Sequence, residues 1–338
     1  MALDKLLLNS TPYENGRISG EYFKKVLNED IISQMYIIDN NDDLKASCEK
    51  MLEKLKNEYP TYYEETRGKA EGLGVELINY FSILCPELLN LNADRCTTII
   101  CRQDSGSFLI SHNEDDDYIE GNFAFSKVYD EDGNWFVTND MYNMPFGNGP
   151  SWNNHGIFKT INFCHEDNFN YDNLPRYFAQ RYITEASSIE DLIKRCEEFK
   201  CASGFHVTAL DINNNIAVSV EVYSDGIDVE YIDDWYIHTN HYIHGEHRNS
   251  PSQADGASSI FRLEKAEELF EDAERDMLDI MMILSHRGND YSDSIFGKKG
   301  ETMMTLFNIT FDVDTGDFIT LGVYSDPAVY MLNYDMRV

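Results

Sequence analysis

The spacing of apolar residues changes character near residue 95, and that change limits what the chain can fold into. Before it, apolar positions recur at helical intervals. Between Leu44 and Leu55 they are Leu44, Cys48, Met51, Leu52 and Leu55. Asn41 or Asp42 can cap this helix, and Pro60 closes it. A second helix is predicted over Thr61–Gly72, with Gly72 and Gly74 as stop signals, and a short one around Leu77–Leu84. The first ninety or so residues therefore read as helical. From Cys96 onward, strand–turn–strand units take over. Thr97–Gln103 and Ser107–Asn113 flank Asp104-Ser105-Gly106, and His206–Ile212 and Ile216–Tyr223 flank Asn213-Asn214-Asn215. Thr305–Val313 and Phe318–Tyr324 flank Asp314-Thr315-Gly316. Two helices interrupt them, Ser188–Lys200 with Ser188 and Asp191 in capping-box spacing, and about Ser258–Ala273. Antiparallel hairpins with helices between them predict an α+β sandwich.

Charge narrows the partners. Sixty acidic residues against 27 basic ones give a formal net charge of −33. Phosphate binding needs a basic footprint, so nucleic acid is disfavoured, and so are anionic membranes. No window holds the long uncharged apolar run of a membrane span. The opening MALDKLLLNS has an early acidic residue and too short an apolar stretch for a secretory signal, so a cytoplasmic protein is expected. Seven cysteines, an odd number without C-x-x-C, indicate reduced thiols. A length of 338 residues suits one large domain or two modest ones, and a homo-oligomer is compatible with everything above.

One hairpin gathers chemistry. Counting outward from the turn near Ser105, Cys96 falls opposite the stretch Asn113 to Asp115. A thiol, a carboxylate and an amide then meet without any assumption about distant folding. A free cysteine is also commonly just core, so the spacing alone leaves both readings open. Cys101, five residues further along the strand, belongs to the opposite face and to the core.

Arg95-Cys96-Thr97-Thr98 followed by Ser111-His112-Asn113-Glu114-Asp115 resembles the acyl-coenzyme A:6-aminopenicillanic acid acyltransferase family, with its Cys-Thr-Thr, hairpin and Asn-x-Asp pattern. The Cys-to-Asp interval of nineteen residues is similar to that of the related choloylglycine hydrolases. Upstream, Glu65-Thr66-Arg67-Gly68-Lys69-Ala70-Glu71-Gly72 is similar to the family's Glu-x-x-Gly-x-Ala-x-Gly. Downstream, Asn153-Asn154-His155-Gly156-Ile157, Ile161-Asn162-Phe163, His238-Thr239-Asn240-His241 and Ser258-Ser259-Ile260-Phe261-Arg262 follow in family order. The resemblance implies an N-terminal-nucleophile hydrolase with an αββα sandwich. Residues 1–95 would form a helical pro-segment or small subunit and residues 96–338 the catalytic part, within one folded unit.

The implied chemistry suits the residue types. A thiol is a weak nucleophile until it loses its proton, and an N-terminal cysteine carries its own base in its α-amino group. That amine exists only after autocleavage of the Arg95–Cys96 bond. The resemblance gives Asp115 the task of holding the amine. It gives Asn162 and Asn240 the task of stabilising the oxyanion, with turn polarity as the plain alternative. Arg262 would tune charge near the thiol, or be a solvated helix arginine. The expected substrates are small acyl amides or acyl thioesters, without a cofactor. Two departures stand out: Arg95 occupies a position that is usually Gly in the acyltransferases, and His112 replaces the arginine of the choloylglycine branch. The Arg95 departure motivates a second expectation, an unprocessed ligand-binding relative.

Other signals compete. His238, His241, His244 and His247 recur every third residue and could serve a metal hydrolase, although that spacing suits neither a strand face nor a helix face. Glu114 to Asp117 lacks the alternation of a calcium loop and reads as a solvated acidic turn, Asp115 apart. No metal site is assigned. Phe146 and Trp152, within the aromatic segment Tyr142 to Trp152, line an acyl pocket or pack under a loop.

Overall fold

The computed structural model describes residues 4–89, 95–116, 123–166, 169–249, 257–289, 293–298, 304–316, 318–323 and 329–333. Before Cys96 the chain forms β1 (Lys5–Leu8), α1 (Pro12–Val26), α2 (Glu29–Gln34), α3 (Asp42–Glu58), α4 (Pro60–Leu73), α5 (Leu77–Ile83) and α6 (Pro86–Leu89). There follow β2 (Arg95–Arg102), β3 (Phe108–Asp116), β4 (Phe123–Tyr129), β5 (Trp135–Met141), β6 (Ser151–Asn153) and β7 (Ile157–Phe163). Next come α7 (Arg176–Ile183), α8 (Ile189–Glu198), β8 (Phe205–Asp211), β9 (Ile216–Val222), β10 (Ile227–Ile232) and β11 (Trp235–His238). The chain ends with α9 (Ala257–Phe270), α10 (Met277–Leu284), β12 (Met304–Asp312), β13 (Phe318–Val323) and β14 (Val329–Asn333).

Local chemistry explains the early helices. The Asn41 side chain accepts from the Leu44 amide at 3.0 Å and caps α3. Pro60 does more than close α3: it opens α4, where its fixed φ suits the first turn. Gly74, at φ 79°, ends α4 in the left-handed region. Gly72 is not a stop signal. It lies within α4 where the helix presses on α1. A Cβ on Gly68 would come within 1.9 Å of the Tyr13 carbonyl oxygen, so the two helix backbones touch through glycine. The helical reading of the first ninety residues also missed β1, a short edge strand that pairs in parallel with β4. Only Leu8 of its four residues is buried, too little pattern to separate strand from helix.

The strands form two sheets. One runs β1-β4-β5-β6-β7-β8-β9-β10, the other β11-β2-β3-β12-β13-β14. Three apolar clusters set the layers. One packs α1, α3, α4, α5, α7 and α8 against the outer face of β7, β8 and β9. A second fills the space between the sheets, with Ile100 and Ile110 meeting Val137, Trp152 and Phe158. A third joins Ile99, Cys101 and Leu109 to α9 and α10. Helices, sheet, sheet, helices is the expected αββα order, and Cys101 sits in the outer core as expected.

Two buried ion pairs tie α4 to the later chain. Glu65 takes two bonds from Arg181, at 2.9 and 3.1 Å, and Lys69 Nζ reaches Asp140 at 2.6 Å. No helix among the described residues is long and apolar enough to cross a membrane. All seven cysteines are buried free thiols.

Candidate active site

The register of β2 against β3 sets the site. Cys96 pairs with Glu114, Arg95 with Asp115, and Thr98 with His112. Because side chains alternate along a strand, Cys96, Thr98, His112 and Glu114 share the face between the sheets. Arg95, Thr97, Asn113 and Asp115 share the face under α9 and α10. The hairpin therefore brings Cys96 opposite the stretch that counting indicates. It also corrects one reading. Glu114 is not part of a solvated turn, since β3 continues to Asp116 and Glu114 is buried.

Distant segments complete the constellation. β11 runs antiparallel beside β2 with His238 opposite Thr98, so the chain leaving β11 passes the start of β2. This carries Asn240 to Cys96. The Cys96 amide donates to Asn240 Oδ1 at 2.8 Å. Arg262 of α9 donates to the same oxygen at 2.7 Å, to the Cys96 carbonyl at 2.6 Å and to Thr97 Oγ1 at 2.9 Å. Two donors on one oxygen orient the Asn240 amide, whose nitrogen donates to the Phe163 carbonyl at 3.0 Å. Ser259 Oγ accepts from the Asn240 backbone at 2.7 Å and anchors the loop. Arg262 is fully buried, not a solvated helix arginine.

On the inner face, Thr98 Oγ1 donates to Asn162 Oδ1 at 2.8 Å and lies 2.8 Å from His112 Nδ1. His112 Nε2 lies 3.1 Å from Glu114. Burial draws the His112 pKa down to about 3, so the imidazole is neutral over the ordinary pH range. On the outer face, Arg95 Nε stands 3.9 Å from Asp115, and its guanidinium also donates to the Ser294 carbonyl. Burial pushes the Asp115 carboxyl up, while the charges of Arg95 and Arg262 pull it down. A bulge in β12 at Thr305–Phe307 sets Thr305 beside this carboxylate.

Cys96, Asn240 and Arg262 thus meet directly, and Asn162 and Asp115 flank them on opposite faces. Phe146 and Trp152 are placed in packed core. Trp152 stacks on Phe158 between the sheets, and Phe146 packs with Leu8, Val128 and Phe136. The histidine run is dispersed among separate partners. His238 is held by Glu221 and the Thr239 carbonyl, His241 by Ser259, and His244 by Tyr236 and Glu230. His247 lies 3.7 Å from Asp225. Thr98, Glu114 and Ser259 were missed as site residues. Thr98 could have been found two residues along the strand from Cys96. Ser259 lies inside the Ser258–Arg262 motif.

Two packed sheets between helical layers are the architecture of the N-terminal-nucleophile fold. A variant of the conjugated bile acid hydrolase from Clostridium perfringens matches with a TM-score of 0.50 at 11% identity, covering 72% of this chain and 94% of that one. The profile of the acyl-coenzyme A:6-aminopenicillanic acid acyl-transferase family matches residues 101–319, and the chain belongs to that family. The family is one of acyltransferases, and the bile acid hydrolase shares the fold. The matched span begins beyond Cys96. No curated protein matches the chain in sequence.

Proposed function

We propose that the chain is a self-processing cysteine amidohydrolase or acyltransferase that acts on linear amides or acyl thioesters through an acyl-enzyme on Cys96. One observation carries the reading. The Cys96 nitrogen, the atom that becomes the α-amine on cleavage, is already held by Asn240 Oδ1 at 2.8 Å, with Arg262 fixing that oxygen. In the precursor, the Cys96 sulfur attacks the Arg95 carbonyl carbon. The Cys96 nitrogen departs with a proton, and water hydrolyses the resulting thioester. In the mature enzyme the amine takes the thiol proton, the sulfur attacks the substrate acyl carbon, and the acyl group passes to water or to an acceptor amine.

Asp115 orients the amine and stabilises, through a charge-assisted hydrogen bond, the ammonium formed when it takes the thiol proton. Asn162 and Asn240 supply amide donors to the oxyanion once substrate displaces their present carbonyl partners, each contributing about 3 kcal/mol. Residues 1–95 stay attached after cleavage, held by the Glu65–Arg181 and Lys69–Asp140 pairs and by a shared core. Free buried thiols fit a cytoplasmic location.

Intact-mass measurement of the purified protein tests this. Fragments of residues 1–95 and 96–338 that co-elute are expected. A full-length chain that also ignores acyl-amide and acyl-thioester substrates would sink the proposal. A second reading, an unprocessed ligand-binding relative, draws on Arg95, which is buried with its guanidinium bound to the Ser294 carbonyl. Under that reading a Cys96→Ala chain binds ligand as well as wild type and no acyl transfer exists to lose.

A further inference from the structure

The inner face of the hairpin holds a second kind of chemistry. The Cys96 sulfur, an imidazole nitrogen of His112 and a carboxylate oxygen of Glu114 all lie within 4.8 Å of one another, and all three residues are buried. Among the described residues no other three His, Cys, Asp or Glu side chains converge in this way. The cause is local. Register sets Cys96 against Glu114, and the strand period returns His112 to the same face.

Thiolate, imidazole and carboxylate are the donors that a borderline-soft divalent cation accepts together. Three protein donors leave a fourth position open. One thiolate and one carboxylate balance a charge of two, which matters where no water screens it. The ring is also oriented as metal-bound histidines are. Its Nδ1 lies 2.8 Å from Thr98 Oγ1, and that hydroxyl is held by Asn162, leaving Nε2 turned toward Glu114.

We propose that Cys96, His112 and Glu114 form a binding site for a divalent cation of the zinc class, and that occupancy silences the thiol. On binding, the thiol proton passes to solvent and a sulfur electron pair bonds the cation. That pair can then attack no carbonyl. The silencing rests on the reading of Cys96 as nucleophile, but the metal site does not.

Cobalt(II) added to the purified full chain is the probe, because a cobalt–thiolate bond gives a near-ultraviolet charge-transfer band. One equivalent is expected to produce the band and zinc to displace it. Cys96→Ser should abolish it. His112→Asn and Glu114→Gln should each weaken cobalt affinity tenfold or more, and they keep the site testable if the serine variant folds poorly. No band, a band that survives Cys96→Ser, or affinity unchanged in both other variants overturns the site. Zinc inhibition of acyl transfer at the same affinity supports the silencing. Turnover undiminished at saturating zinc overturns the silencing and leaves the cobalt result standing.

Discussion

The two faces of one hairpin divide the labour at this site. The inner face carries Cys96, Thr98, His112 and Glu114 between the sheets, and its imidazole is neutral. The outer face carries Arg95, Thr97, Asn113 and Asp115 beneath the last two helices, with Arg262 reaching in. The charges of Arg95, Asp115 and Arg262 gather on the outer face, around the Arg95–Cys96 peptide. The thiol sits on the other side, with His112 and Glu114. Strand alternation lets adjacent residues do different work: under the proposed function, residue 96 attacks, and residues 95 and 115 set the field around the atom to be released. The largest expected effect isolates the inner face. Cys96→Ala should remove acyl transfer by at least about 10⁴-fold, as loss of a nucleophile does elsewhere, and leave folding intact. Measurable turnover in that variant would break the division at once.

The outer face should show itself in stability. Arg262 and Arg95 are both buried, and the charges of both act on Asp115. Removing one partner of a buried ion pair strands the other. Asp115→Asn, made in the Cys96→Ala background so that processing plays no part, should lower unfolding free energy by about 3 kcal/mol. Urea midpoints of the two chains measure this. A change well below 1 kcal/mol would mean that the outer charges do not depend on one another.

A smaller effect is expected from Thr98. Its hydroxyl serves Asn162 and His112 and stands 3.1 Å from Thr160 Oγ1. Thr98→Val keeps the shape but leaves buried polar atoms unpaired, at a cost of about 2 kcal/mol. Thermal melting reads it, and an unchanged midpoint would show that His112 finds another partner.

How much of this was legible differs by region. The caps and stops of α3 and α4 are local, so Asn41 and Gly74 announce them. The hairpins are local too, and counting from Ser105 sets Cys96 against the stretch Asn113 to Asp115, within which the register selects Glu114. Strands β4 and β5 gave no comparable signal. Both their faces are covered, so buried polar residues such as Lys127, Thr138 and Asp140 interrupt the alternation that marks a strand. Asn240 and Arg262 reach Cys96 only through the pairing of β11 with β2 and the lie of α9. Nothing within either segment encodes that, and family resemblance pointed to them instead. Glu114 was misread because a run of acidic residues resembles a turn. Only the length of β3 shows that it is buried.

The pH dependence offers the finest contrast between the faces. An unfolded His112 takes up a proton below its ordinary pKa of 6.5, whereas the folded side chain stays neutral down to about 3. Between those values the unfolded state binds more protons, so stability falls as pH drops through the window. By pH 5.5 the His112 share of that loss is on the order of 1 kcal/mol. His112→Asn keeps a hydrogen-bonding group beside Thr98 and Glu114 but cannot take up the proton. The difference in unfolding free energy between about pH 7.5 and pH 5.5 should therefore shrink by roughly that amount. Burial also lowers His206, His238 and His241, so a residual slope persists in the variant. Equal slopes in the two proteins would mean that His112 is protonated in the folded chain. The thiol would then face an imidazolium rather than a neutral ring.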